Sequence, residues 1–422
     1  MLAFVAIPWF VLQTTGSAAR TGLIGAAFLL AAVMAGLFGG PIVDRTGFKR
    51  ASIVADLTGA VTVALIPLLY HTTGLLFWQL LVLVFLGGFL DAPGHTARQG
   101  LVPDLAGRVG MGIERANSAF QGIQYASFLV GSPLAGLLIV AFAPGNVLWI
   151  DASTFVVSAA LVAALVPPVT PRPSTVAERR RAGRYRAELA EGMAFIRRDR
   201  LVVWMFGIGV VTNSLVLPLF AVVLPFYARQ TYGSAVDLGL MLGGFGSGAL
   251  AGTVLYGTVG HLLPRRATLV SAIVLMGLPF WVLVATPPLG VTIGALFVAG
   301  FVLGPSNTLT YSVLQERTPP RMLGRVLGAG VSLSMVGAPV GVGLCGYALE
   351  ILGLRPTLAG ISACYLVGGP PLVYQPGPAR VGQGSGLAEG RGGNVGGRLR
   401  RVFAQDHPNI THLRDAIRFP GG

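Results

Sequence analysis

The chain has 422 residues, 53% of them hydrophobic and 11% charged, with a mean hydropathy of +0.72. That composition excludes an ordinary water-soluble domain and places the chain in a bilayer. A formal charge of +14 would point to nucleic acid in a soluble protein, so its sign has to be read together with where the charges fall.

Residues 1–12 form an apolar run broken by Pro8. As a helix the run is about 18 Å long, short of the roughly 20 residues that cross a bilayer. Gly16-Ser17-Ala18-Ala19 would suit a signal-peptide cleavage region, but the run lacks a positively charged start, and an internal repeat decides against that reading. Gln13-Thr14, Gly16-Ser17-Ala18 and Gly22-Leu23 recur as Gln230-Thr231, Gly233-Ser234-Ala235 and Gly239-Leu240, an offset of 217 residues. The same offset pairs Pro8 with Pro225, Gly40 with Gly257 and Lys49 with Arg266. The chain therefore reads as a duplicated unit. The second copy's first helix starts near Leu201, so the first copy is expected to lack the first half of its opening helix, through truncation or a misassigned start.

Apolar spans at 22–43 and 51–70 flank Gly40-Pro-Ile-Val-Asp44-Arg45-Thr-Gly47-Phe-Lys49-Arg50. A turn at the membrane surface asks for glycine at Gly40 and Gly47, for close approach and positive φ. Asp44 can meet a helix N-terminus, and Arg45, Lys49 and Arg50 hold one face of the bilayer. This pattern resembles the loop between helices two and three of the major facilitator superfamily of secondary transporters. If the loop is cytoplasmic, only Arg20, Arg229 and Arg355 lie on the outer side, an asymmetry that follows the positive-inside rule and removes the case for nucleic acid.

Further spans are expected at 75–95, 116–142, 146–166, 201–228, 236–258, 267–286, 290–312, 325–350 and 356–374, twelve with the partial first helix. The expected fold is an all-α integral membrane protein of two parallel six-helix repeats, residues 1–167 and 201–375. A basic linker at 168–200 joins them, and its later part, Tyr185 to Ile196, has the pattern of an amphipathic helix on anionic lipid or of a solvated linker. Residues 376–422 turn to Gly, Pro and Arg without apolar periodicity and read as a disordered cytoplasmic tail, in which the Asn409-Ile410-Thr411 sequon would stay unglycosylated. Cys345 and Cys364 fall in apolar segments and are expected as buried free thiols.

Ala97-Arg98-Gln99, Val102-Pro103-Asp104, Arg115-Ala116-Asn117-Ser118, Asp151-Ala152-Ser153-Thr154-Phe155 and Gly324-Arg325-Val326 resemble the drug–proton antiporter branch of macrolide and enterobactin exporters. Gly131-Ser132-Pro133 with Gly136 resembles that branch's fifth-helix antiporter motif, with serine for the central glycine; Gly337-Ala338-Pro339 and Gly341 are its counterpart in helix eleven. Its physical use would be a bend and close packing between bundles. Gly244, Gly246, Gly248 and Gly252 lie inside an apolar span with no strand before them, which favours helix packing over nucleotide binding.

Intramembrane carboxylates are functional candidates by default, which nominates Asp56, Asp91 and Asp151 for proton coupling; each has the structural alternative of pairing with arginine or capping a helix. By resemblance Asp44 would meet Arg98 and the helix-eleven end near Gly324, a latch built with Gly40, Arg45, Gly47, Lys49 and Arg50. Helices one, four, seven and ten line the cavity in the family, which nominates Gln13, Trp78, Gln79, Asn213, Asn307 and Tyr311. The expected function is proton-coupled efflux of small amphipathic compounds by alternating access, from a monomer spanning the bacterial cytoplasmic membrane many times. The chain is not expected to be an enzyme, and no cofactor, metal or nucleic acid is expected. The alternatives are a facilitator or importer of the same fold, and a transport-incompetent truncated scaffold.

Overall fold

The computed structural model describes residues 1–111, 113–167, 185–259, 265–318, 326, 330 and 332–368. The described residues are helical. In chain order they form α1 (Leu2–Thr15), α2 (Ala18–Thr46), α3 (Phe48–Thr72), α4 (Phe77–Arg108), α5 (Ile113–Phe142), α6 (Pro144–Leu165) and α7 (Tyr185–Arg198). Then come α8 (Arg200–Pro218), a π-helical turn (Leu219–Val223), α9 (Leu224–Thr231), α10 (Ala235–Val259), α11 (Arg265–Val284), α12 (Leu289–Arg317), α13 (Ala338–Leu352) and α14 (Leu354–Gly368). Among the described residues nine helical stretches are long and apolar enough to cross a membrane, and Leu2–Thr15 and Leu275–Val284 are shorter apolar helices.

Helices are the form available to so apolar a chain because each satisfies its own backbone groups where lipid offers no partner. The same demand moves the first turn from its expected place. Helix α2 runs through Gly40 and Pro41 to Thr46, and the reversal is made at Gly47 alone, with φ 78°. Continuing the helix keeps its hydrogen bonds, and glycine at the next position takes the left-handed geometry at low cost.

In the first half α4 packs on α2 and α3, and α6 on α3 and α1; in the second, α12 packs on α10 and α11, and α14 on α11. Two pairs join the halves: α2 with α13, and α5 with α10. Lipid is as apolar as leucine, so helices in a bilayer gain from close packing more than from hiding apolar surface. The glycines follow that logic. A Cβ at Gly248 or Gly252 of α10 would strike the carbonyls of Phe297 and Phe301 of α12, and Gly300 and Gly304 answer from the other helix. This is the packing use expected of the glycine run.

The main core draws on both halves, with Val5, Phe10 and Leu148 beside Leu219, Leu238 and Phe280. It gathers toward the end of the molecule bearing Gly16 and Gly233. Large apolar side chains such as Leu161, Val340 and Leu344 stand exposed, as a lipid-facing surface requires, while Asp56, Asp151, Ser132 and Thr292 are buried. Cys345 is half-buried against the core, but Cys364 is exposed, contrary to expectation; a thiol is apolar enough to face lipid. The tail, Gly324 and residues 168–184 of the linker lie outside the described residues, as do the side chains of 37–45 and 307–317.

Candidate functional site

Helix α4 carries Asp91, His95 and Arg98 at i, i+4 and i+7, one face of the helix. Gly94 lets that face come close to α3, since a Cβ there would collide with the Ala55 side chain. The approach brings Arg98 to Asp56 on α3: Nη1 donates to Oδ1 at 2.7 Å, and the aspartate is 1% exposed. Ser158 on α6 donates from Oγ to the other oxygen, Oδ2, at 2.8 Å. The second arm of the guanidinium, Nη2, donates to Asp91 Oδ1 at 3.2 Å, on a carboxylate that is 39% exposed.

One arginine thus serves two carboxylates, one sealed and one reachable. A lone buried carboxylate would be costly in so apolar a setting, and charge-assisted hydrogen bonds from arginine and serine supply what water cannot. The planar fork of arginine suits this bridge better than the point charge of lysine. One turn along, His95 Nε2 meets Gln124 Nε2 of α5 at 2.9 Å, an arrangement in which the amide donates to an unprotonated ring nitrogen. His95, Gln124 and Ser158 are absent from the sequence-derived candidates. The spacing of Asp91, His95 and Arg98 on one helix face was the available signal for His95; nothing local marks Ser158 or Gln124.

The other candidates have separate neighbours. Asp151 on α6 is buried and meets the backbone amide of Ala3 in the first turn of α1. Lys49 Nζ donates to the carbonyls of Ala163 and Val166 at 2.8 and 2.6 Å, capping the C-terminal end of α6 where a cation is favoured. Arg50 is exposed. The side chains of Asp44 and Arg45 and all of Gly324 lie outside the described residues, and Arg98 faces Asp56 and Asp91.

Among the cavity candidates, Gln79 Oε1 accepts the amide of Leu76 and so caps α4, and Trp78 beside it is 62% exposed. Gln13 lines a cavity of about 660 Å3 at the Gly16 end, between the ends of α1, α3, α4 and α6, with Arg20, Tyr70 and His71. Asn213 on α8 donates to the Ser334 carbonyl at 3.2 Å. The side chains of Asn307 and Tyr311 are not described.

Glycine governs both seams between the halves. On α2 and α13, a Cβ at Gly22 would lie 2.8 Å from the Cα of Gly346. On α5 and α10, a Cβ at Gly239 would lie 2.9 Å from the Cα of Pro133, and one at Gly136 the same distance from the Cα of Val236. Gly22 and Gly239 are the pair related by the 217-residue repeat, so the duplicated position does the same work in each copy. Ser132 and Pro133 of the antiporter-like motif thus face α10, with Gly131 close to Met1. The buried π-helical turn of the second half touches α1, α2 and α13 where these seams converge.

A family model described as Major Facilitator Superfamily matches residues 1–342 and, separately, 208–396. The multidrug efflux pump Tap of Mycolicibacterium fortuitum is 30% identical over 380 residues, 89% of this chain and 91% of that protein. Macrolide efflux protein A of Streptococcus pyogenes is 23% identical over 360 residues, 83% of this chain and 86% of that protein. Among solved structures, a mutant of the nucleoside transporter NupG superposes with a TM-score of 0.75 at 12% identity, over 89% of this chain and 96% of that one, a likeness of fold.

Proposed function

This chain belongs to the major facilitator superfamily, and from that premise we propose that it is a proton-coupled exporter of small amphipathic compounds working by alternating access in a bacterial cytoplasmic membrane. It is a multi-pass membrane transporter and not an enzyme. The drug-export relatives support outward transport of drug-like compounds, and the scarcity of charged side chains in the spans favours neutral or weakly cationic substrates over phosphates.

The observation that carries proton coupling is the Arg98 bridge. Two carboxylates share one cation, so a proton arriving on the reachable Asp91 releases one arm of Arg98 and leaves Asp56 as its partner. That exchange alters what holds α4 against α3, and a rocking transporter needs a charge state that biases its two conformations. The Gly47 end, with Lys49, Arg50, Arg108, Arg197 and Arg198, is assigned to the cytoplasm. With the seams joined at the Gly16 end, the conformation described then opens toward the cytoplasm. The Asp44 latch belongs to the opposite state.

The test is efflux of fluorescent amphipathic dyes from bacteria expressing the chain, with and without an uncoupler. The expected result is efflux that the uncoupler stops, and its loss in Asp91→Asn with membrane insertion intact. Efflux that persists without a proton gradient would overturn proton coupling, and unchanged uncoupler-sensitive efflux in Asp91→Asn would overturn the assigned role of the bridge.

A further inference from the structure

We propose that Glu350 is a clasp between the two halves at the Gly16 end, whose hydrogen bonds set how often that end opens; this rests on the alternating-access reading. Glu350 lies in the last turn of α13, in the second half, opposite the start of α2 in the first. Its Oε2 accepts from Ser17 Oγ and from the Ala19 amide, each at 3.1 Å. Ser17 Oγ in turn accepts the Arg20 amide at 3.1 Å, which leaves the hydroxyl proton to point at the carboxylate. The first turn of α2 therefore has its free amides closed by its own serine and by an acid from the other half.

A helix N-terminus attracts negative charge, and an ionised carboxylate accepts more strongly than a neutral oxygen. Arg20, which lies over the Phe77 ring at 5.4 Å, is the charged neighbour of this group. One turn deeper the backbones of α2 and α13 touch at Gly22 and Gly346. The glycine contact is a pivot and the carboxylate closes the rim above it. Rotation that parts the halves at this end has to break both hydrogen bonds.

The seam between α5 and α10 is built differently. Ser234 Oγ there accepts the Val236 amide of its own helix, and α5 ends in Val140-Ala141-Phe142, which offers no acid. The polar fastening is on one seam only. Because Glu350 is exposed, truncating it removes the fastening without opening a core cavity.

The experiment places spin labels at exposed Thr72→Cys and Gln230→Cys, one in each half at this end, in the full chain carrying Cys345→Ala and Cys364→Ala. Interhalf distances are measured by pulsed resonance. Glu350→Ala is expected to raise the long-distance population by at least about fivefold, within the usual range for a coupling between states. Glu350→Gln, which keeps a neutral acceptor, and Ser17→Ala should each raise it less. Gly346→Val, which wedges the pivot, serves as the positive control. A Glu350→Ala distribution matching the parent while Gly346→Val lengthens would overturn the clasp and leave alternating access standing. If neither variant lengthens, both readings fall.

Discussion

Arg98 is the residue on which most of the polar interior depends, because its removal strands Asp56 at 1% exposure with only Ser158 to bond it. Breaking a buried pair from one side costs about 3–5 kcal/mol. Arg98→Ala should therefore lower the melting temperature of the detergent-solubilised protein sharply. Adding Asp56→Asn should restore part of the loss, since no charge is then left unpaired; a double variant no more stable than Arg98→Ala would show that the pair is not what matters. Lys49→Met should cost less, below about 1 kcal/mol, as loss of one helix-end cation. The candidates themselves were legible: Asp56, Asp91, Asp151, Lys49 and Arg98 are all conspicuous in the chain. Their partners were not. Ser158 is 102 residues from Asp56 and Glu350 is 333 from Ser17, separations across which composition and spacing carry no signal.

At the level of elements, close helix packing rather than buried area decides which positions tolerate change. Gly252→Val on α10 would press a side chain into the Phe301 carbonyl, and overpacking of that kind costs about 1–3 kcal/mol. Gly257, one and a half turns further along, has open space around it, so Gly257→Val should be tolerated and serves as the control in the same melting assay. Equal effects of the two would remove the packing argument for α10 and α12. The use of the glycine run was readable because an apolar span without a preceding strand leaves little else for it to do. The end of α2 was not. Glycine and proline at 40 and 41 read as a breaker, yet the bilayer surface favours unbroken hydrogen bonding through Thr46, and only Gly47 departs from the helix.

The 217-residue repeat foretold two copies in one orientation, and the structure turns it into a mechanical statement: Gly22 and Gly239 each bring one half's second helix against the other half. Which end of this assembly faces the cytoplasm follows from charge, through the positive-inside rule. In a chain freed of Cys345 and Cys364, Thr72→Cys should react with a membrane-impermeant maleimide added to whole cells, and Arg50→Cys should react only in inverted vesicles. The reverse pattern would place Glu350 and the seams on the cytoplasmic side, and the conformation described would then be open to the outside. The Arg98 bridge would meet its protons from the outer medium rather than release them inward, and Asp44 would be excluded as a cytoplasmic latch. The labelling result therefore fixes the direction in which every other measurement is read.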